Sequence, residues 1–209
     1  FHIREELSVM SENIDAMEPH VIYTIGYGKR ELDEVVSLLE GRGINYLIDV
    51  RSSPYSKFKP DFSRRSLEAA LERRGIRYVF MGDLLGGRPE DEDCYVDGKV
   101  DYGRVRKIAP FKHGIERLLT AWEKSLHVCL MCSEGRPEDC HRSKLIGEVL
   151  EEKGIRLRHI DAEGNLLSHK DVLGNIKNGL QTSFLDVSFT SRKRYKNESN
   201  DEPGDSHET

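Results

Sequence analysis

From Val21 onward, apolar positions along the chain alternate between two periods, and each period predicts one kind of element. VIYTIGYG is a short apolar run closing on glycines, which predicts a strand. Leu32, Val35, Val36 and Leu39 then repeat at helical spacing up to Gly41 and Gly43. INYLIDVR predicts the next strand, followed by a loop holding Pro54 and Pro60. Leu67, Ala70 and Leu71 mark the inner face of a helix that Ser63 or Ser66 is placed to cap. Arg77–Met81 reads as a third strand.

Residues 83–109 interrupt this rhythm with Gly86-Gly87, Pro89 and a run of acids, which predicts an excursion containing little regular structure. Helical period returns at Ile115, Leu118, Leu119 and Trp122. The strand HVCLMC follows, then a polar loop, a helix carrying Leu145, Val149 and Leu150, and a fifth strand, RLRHID. Strands alternating with helices predict an α/β fold. The expected architecture is a mainly parallel open sheet of about five strands with helices on both faces, rhodanese-like in broad outline. The predicted organisation is a leader over residues 1–20, a single α/β domain over 21–182, and a polar, disordered tail over 183–209.

Composition narrows the class. The 209 residues are 37% hydrophobic and 33% charged, with a net charge of −5, so bulk charge gives no attraction to nucleic acid or membrane. Four cysteines in a chain of this length do not make a disulfide framework. No apolar run reaches transmembrane length, and residues 1–20 lack the apolar stretch of a secretion signal. The expectation is a cytoplasmic protein with reduced thiols and no membrane partner, its oligomeric state left open.

Ligands of an open parallel sheet bind outside the carboxyl ends of its strands, and the chemically dense segments fall there. CSEGRPEDCHR brings Cys132, Glu134, Arg136, Cys140, His141 and Arg142 into one strand–loop–helix corner. Cys132 or Cys140 is a candidate nucleophile, since a thiol near arginines and a helix start ionises readily. His141, Glu134 and Asp49 are candidates for proton transfer. Arg51, Arg136, Arg142 and Lys57 are candidates for holding an anion, with Ser56 and Tyr27 beside them. Gly26, Gly86 and Gly87 allow close backbone approach. Cys132, Cys140 and His141 could also begin a metal site, although their spacing matches no common zinc pattern. His113, His127, His159 and His169 are open choices for a fourth ligand. No cofactor is predicted on this basis.

The segments TIGYG, IDVRSSPYSKFKPDFS, MGDLLGGR and CSEGRPEDCHR occur in the order found in the domain-of-unknown-function 488 family, and the chain resembles that family from about Ile22 to Ile160. The resemblance implies a shared pocket built from Gly26, Asp49, Arg51, Pro54, Ser56, Gly86, Gly87, Cys132, Glu134, Cys140, His141 and Arg142. The commoner form of the first motif has histidine where this chain has Tyr27. A weaker analogy joins the cysteine loop to rhodanese-like and cysteine-phosphatase loops, which carry arginine six positions after the cysteine. Here that position is Glu138. The expected function is an enzyme acting on a phosphate-bearing nucleotide or nucleic-acid substrate. The alternatives are a non-catalytic nucleic-acid-binding or regulatory module, a rhodanese-like thiol enzyme, or a metal-binding protein.

Overall fold

The computed structural model describes residues 20–179 and 189–195. The predicted leader apart from His20, and the tail apart from 189–195, lie outside the described residues. The chain is a mixed α/β fold around a six-stranded sheet, with a separate two-stranded hairpin. Strands β1 (Ile22–Gly26), β2 (Tyr46–Asp49), β3 (Arg77–Phe80), β6 (Val128–Cys132) and β7 (Leu157–Ile160) are parallel. The short β8 (Leu166–Ser168) adds antiparallel to β7 at one edge, so the sheet has one strand more than the sequence predicts. The spatial order is β3-β2-β6-β1-β7-β8.

The two faces of the sheet are both buried, which is why its strands read as continuous apolar runs. On β6, Val128, Leu130 and Cys132 point into one core and Cys129 and Met131 into the other. Helix α1 (Leu32–Glu40) buries Val35, Val36 and Leu39, and α2 (Arg64–Glu72) buries Leu67, Ala70 and Leu71. They cover the Met131 face. The Leu130 face is covered by α5 (Ala109–Glu123), through Phe111, Ile115 and Leu118, and by the helical segment after the cysteine loop. That segment opens as a π-helical turn, Arg142–Gly147, and tightens into α6 (Glu148–Glu152). Helix α7 (His169–Gly179) packs beside it.

The excursion is more structured than its composition predicts. It holds α3 (Gly82–Leu85), a hairpin of β4 (Tyr95–Val96) and β5 (Lys99–Val100), and α4 (Tyr102–Val105). Asp97 and Gly98 both have positive φ, 50° and 71°, as a tight two-residue hairpin turn requires. Residues 189–195 form a strap along this hairpin. Tyr102 N donates to Phe189 O at 3.0 Å, Ser191 N to Val100 O at 2.9 Å and Tyr195 N to Gly98 O. Val100 N in turn donates to Ser191 Oγ at 2.9 Å.

Candidate functional site

A cavity of about 310 Å³ lies where β1, β2 and β6 end. Its walls come from the loop after β2, the excursion, the cysteine loop and the strap. Four cationic side chains (Arg51, Arg88, Arg192 and Lys193) and two carboxylates (Glu134 and Asp139) line it, together with Tyr27, Cys132, Cys140 and His141.

Arg51 is the most constrained of these cations. Asp49 and Arg51 share one side of the chain, and the Asp49 carboxylate accepts Arg51 Nε at 2.8 Å, Nη2 at 2.6 Å and the Arg51 backbone N at 3.1 Å. Tyr78 OH donates to the same carboxylate at 2.8 Å. Arg51 Nη2 also donates to Phe62 O, at 2.8 Å. Nη1 meets no acceptor although it is buried. Burial works against the charge, but the Asp49 carboxylate outweighs it and holds Arg51 firmly protonated. Tyr27 stacks on Phe62 at 4.2 Å, with the guanidinium 5.4 Å from its ring centre. Asp49 is fully buried and satisfied by these donors, so it orients Arg51 and does not reach the cavity.

Cys132 ends β6, and Cys140 and His141 open the following helical turn. Their ligand-capable atoms all lie within 4.8 Å of one another. His141 Nδ1 is 3.8 Å from Cys132 Sγ and 3.7 Å from Cys140 Sγ, while Nε2 is 3.0 Å from Val50 O. A carbonyl only accepts, so Nε2 carries a proton and donates to Val50 O, which leaves Nδ1 as the ring atom facing both sulfurs. Gly87 permits this packing, since a Cβ there would sit 2.9 Å from the His141 ring. The two thiols titrate as a pair. A hydrogen bond from Cys140, reinforced by His141 and Arg142, holds Cys132 well below the usual thiol range. Burial, and then the Cys132 charge, push Cys140 well above it.

Several residues expected at an anion site stand elsewhere. Arg142 is fully buried and donates to Glu134 O and Gly135 O, so it clamps the loop from behind. Its place in the pocket is corrected for that reason. Gly26 serves the same clamp: a Cβ there would lie 1.7 Å from Glu134 O. Gly86 packs against Ser52 behind the cavity wall. Arg136 is 71% exposed and faces Glu138 and Asp139 at 3.9 and 4.0 Å. Lys57 is exposed, and neither it nor Ser56 lines the cavity; Ser56 instead braces its own loop through Lys59 N and Ser63. Glu134 does line it, but its carboxylate is held by Arg192 at 3.0 Å and Lys193 at 3.9 Å.

The sequence reading missed Tyr102, Arg192, Lys193 and Tyr195, which also line the cavity. The last three belong to the strap, whose composition resembles the tail around it. The Asp97-Gly98 pair was a readable hairpin signal, and a hairpin there is what the strap pairs with.

A parallel-sheet α/β protein with a cation- and thiol-lined cavity at its carboxyl rim is the class that this fold and site define. Within that class, the chain matches the family described as Domain of unknown function DUF488 over residues 31–149, and it belongs to that family. No curated protein and no solved structure matches it. Among the described residues, no helix is long and apolar enough to cross a membrane.

Proposed function

We propose that the protein is an enzyme whose cavity binds an anionic substrate, a phosphate-bearing nucleotide ahead of other anions. One observation carries this reading: Arg51 lines the cavity, its charge is fixed by Asp49, and its Nη1 is a buried donor with no acceptor. An unpaired buried N–H costs about 1–3 kcal/mol, and a phosphate or carboxylate oxygen would recover that with a charge-assisted bond. Arg88 adds a cation and Ser52 and Ser53 add hydroxyl groups. Tyr55, 69% exposed and on the cavity wall, offers a flat face to a base.

A second reading follows from the acidified Cys132 thiol beside His141 Nδ1, which has the parts of a thiol enzyme, with Cys132 as nucleophile and His141 as its proton partner. The reading as a non-catalytic nucleic-acid-binding or regulatory module rests on the arginines at and beyond α2: Arg64 lies over Tyr78 and Phe80 and Arg74 pairs with Glu40, whereas Arg65, Arg73 and Arg77 are exposed.

Calorimetric titration with inorganic phosphate, sulfate and nucleoside monophosphates tests the anion reading. Saturable binding that weakens on the order of tenfold or more in Arg88→Ala is expected, as one charge-assisted bond is worth roughly 1.5–3 kcal/mol. Absence of saturable binding by any of these anions at moderate ionic strength would refute it.

A further inference from the structure

We propose that Cys132, Cys140 and His141 form a zinc site whose fourth coordination position opens into the cavity. A tetrahedral zinc with Zn–S of about 2.3 Å and Zn–N of about 2.0–2.1 Å sets each sulfur about 3.6 Å from the nitrogen. The two S···N separations here are 3.8 and 3.7 Å, within about 0.2 Å of that edge. Nδ1 has a single in-plane hydrogen-bonding position while two sulfurs approach it at nearly equal distance, so it serves one of them and the other is left to its sulfur neighbour. One cation at the meeting point satisfies all three atoms.

The surroundings fit a ligand set. Metal-bound imidazoles usually donate their other N–H to a carbonyl or carboxylate, and His141 Nε2 already has Val50 O at 3.0 Å. The soft donor pair selects zinc or copper(I) over magnesium and calcium. All three residues are buried, yet all three line the cavity. Two thiolates balance the ion's charge, and binding releases the remaining thiol protons to solvent. Both carboxylates on the cavity wall are paired, Glu134 with Arg192 and Lys193 and Asp139 with Arg192, which leaves the fourth position to water or a substrate atom. Three protein ligands with one open position are the arrangement of catalytic rather than structural zinc. The metal site stands on its own geometry; only the statement that its open position meets an anion rests on the anion-binding reading.

The test uses the full chain without a histidine tag, stripped by chelator and titrated first with zinc and then, separately, with cobalt(II). One equivalent of zinc is expected to bind and to block modification of Cys132 and Cys140 in the folded protein, with all four thiols becoming reactive once the protein is unfolded in chelator. Cobalt should give thiolate charge-transfer absorption and tetrahedral d–d bands, a readout that needs no variant. Cys140→Ser should weaken zinc by more than about a hundredfold, beyond the loss that an outer-sphere partner causes, with circular dichroism unchanged. Substoichiometric zinc with both thiols still reactive, a cobalt spectrum lacking sulfur charge transfer, or a Cys132–Cys140 disulfide in the aerobically purified protein would overturn the proposal. Phosphate titration of the zinc-loaded protein separates the two readings: zinc without phosphate binding leaves the metal site standing and removes the anion reading.

Discussion

Replacing Asp49 by Asn changes one atom and removes the counter-charge of a buried guanidinium. The wild-type carboxylate accepts four hydrogen bonds, two on each oxygen: Arg51 N and Nε on Oδ1, Arg51 Nη2 and Tyr78 OH on Oδ2. The amide of Asn has a single oxygen, so in either orientation its NH2 group opposes two of those donors. Asp49 is 0% and Arg51 5% exposed, so water does not replace the lost acceptor. Breaking one partner of a buried ion pair typically costs about 3–5 kcal/mol, because the remaining charge stays buried and unpaired. We therefore expect Asp49→Asn to lower unfolding free energy by that amount and to depress Tm by on the order of 10 °C.

Urea unfolding followed by the fluorescence of Trp122, the single tryptophan, measures the change. Tyr78→Phe is the control: it removes one neutral donor and keeps the pair, so about 1 kcal/mol is expected. The two substitutions share an acceptor, and the double variant should depart from additivity by at least about 0.5 kcal/mol. A loss below about 1 kcal/mol in Asp49→Asn, with a denaturant slope equal to wild type, would show that the pair does not hold Arg51 in place.

The other expectations concern separate parts of the fold. Burial, and then His169 and Arg142, hold His159 well below the ordinary imidazole range, so its folded form resists a proton that the unfolded form takes up. Its stability contribution is complete above about pH 6.5 and is lost as pH falls from there toward the folded value; His159→Gln should flatten that acid limb in urea titrations between pH 7 and 5, and an unchanged slope would sink the idea. In the chelator-stripped protein, iodoacetamide should label Cys132 with a pH midpoint below the ordinary thiol value of about 8.5, whereas Cys129, pushed up by burial, should stay inert until unfolding; mass spectrometry of peptides decides between them. Gly26→Ala places a Cβ 1.7 Å from Glu134 O, a backbone atom, so a destabilisation of roughly 3 kcal/mol or more is expected. Gly174→Ala, with nothing within 4 Å and a helical position in α7, should be neutral or stabilising by up to about 1 kcal/mol; equal losses in the two would contradict the close-approach argument.

What the sequence revealed follows from how local each determinant is. The apolar periods of α1 and β6 are set by burial on one stripe or both faces, so Val35, Val36, Leu39 and the run VCLMC were readable without a structure. Helix α7 lies within the predicted domain, but the short β8 before it is only Leu166-Leu167-Ser168, exposed or half-buried and too short to show a period. Side-chain direction was less readable still. Arg51 and Arg142 both sit in motifs rich in chemistry, yet one lines the cavity and the other turns back to two loop carbonyls. Nothing local distinguishes them; Gly26 decides it, by letting the loop pass over the end of β1 at a distance where Arg142 can hold it. The convergence of Cys132, Cys140 and His141 was implied by one loop, whereas the strap depends on contacts some ninety residues away in sequence, such as Val100 N to Ser191 Oγ.

That distant contact determines the sign of the cavity. Without the strap, the remaining charged side chains on its wall are Arg51 and Arg88 against Glu134 and Asp139, and Arg51 is already paired with Asp49 behind it. An anion would then meet a wall with little net attraction. Arg192 changes this by bridging both acids, with Nη2 3.0 Å from Glu134 and Nη1 3.6 Å from Asp139, and Lys193 approaches Glu134 as well. The two carboxylates on the cavity wall are thereby compensated, and the cavity lining becomes cationic on balance inside a chain whose net charge is −5. Arg192 is about half exposed, so each pair alone contributes little to stability. Their joint effect on the local potential is larger, because it acts in a concave space with low-dielectric walls. The strap is held along the hairpin by backbone bonds and Ser191, and its cations add ion pairs that tie it to the cysteine loop across the cavity.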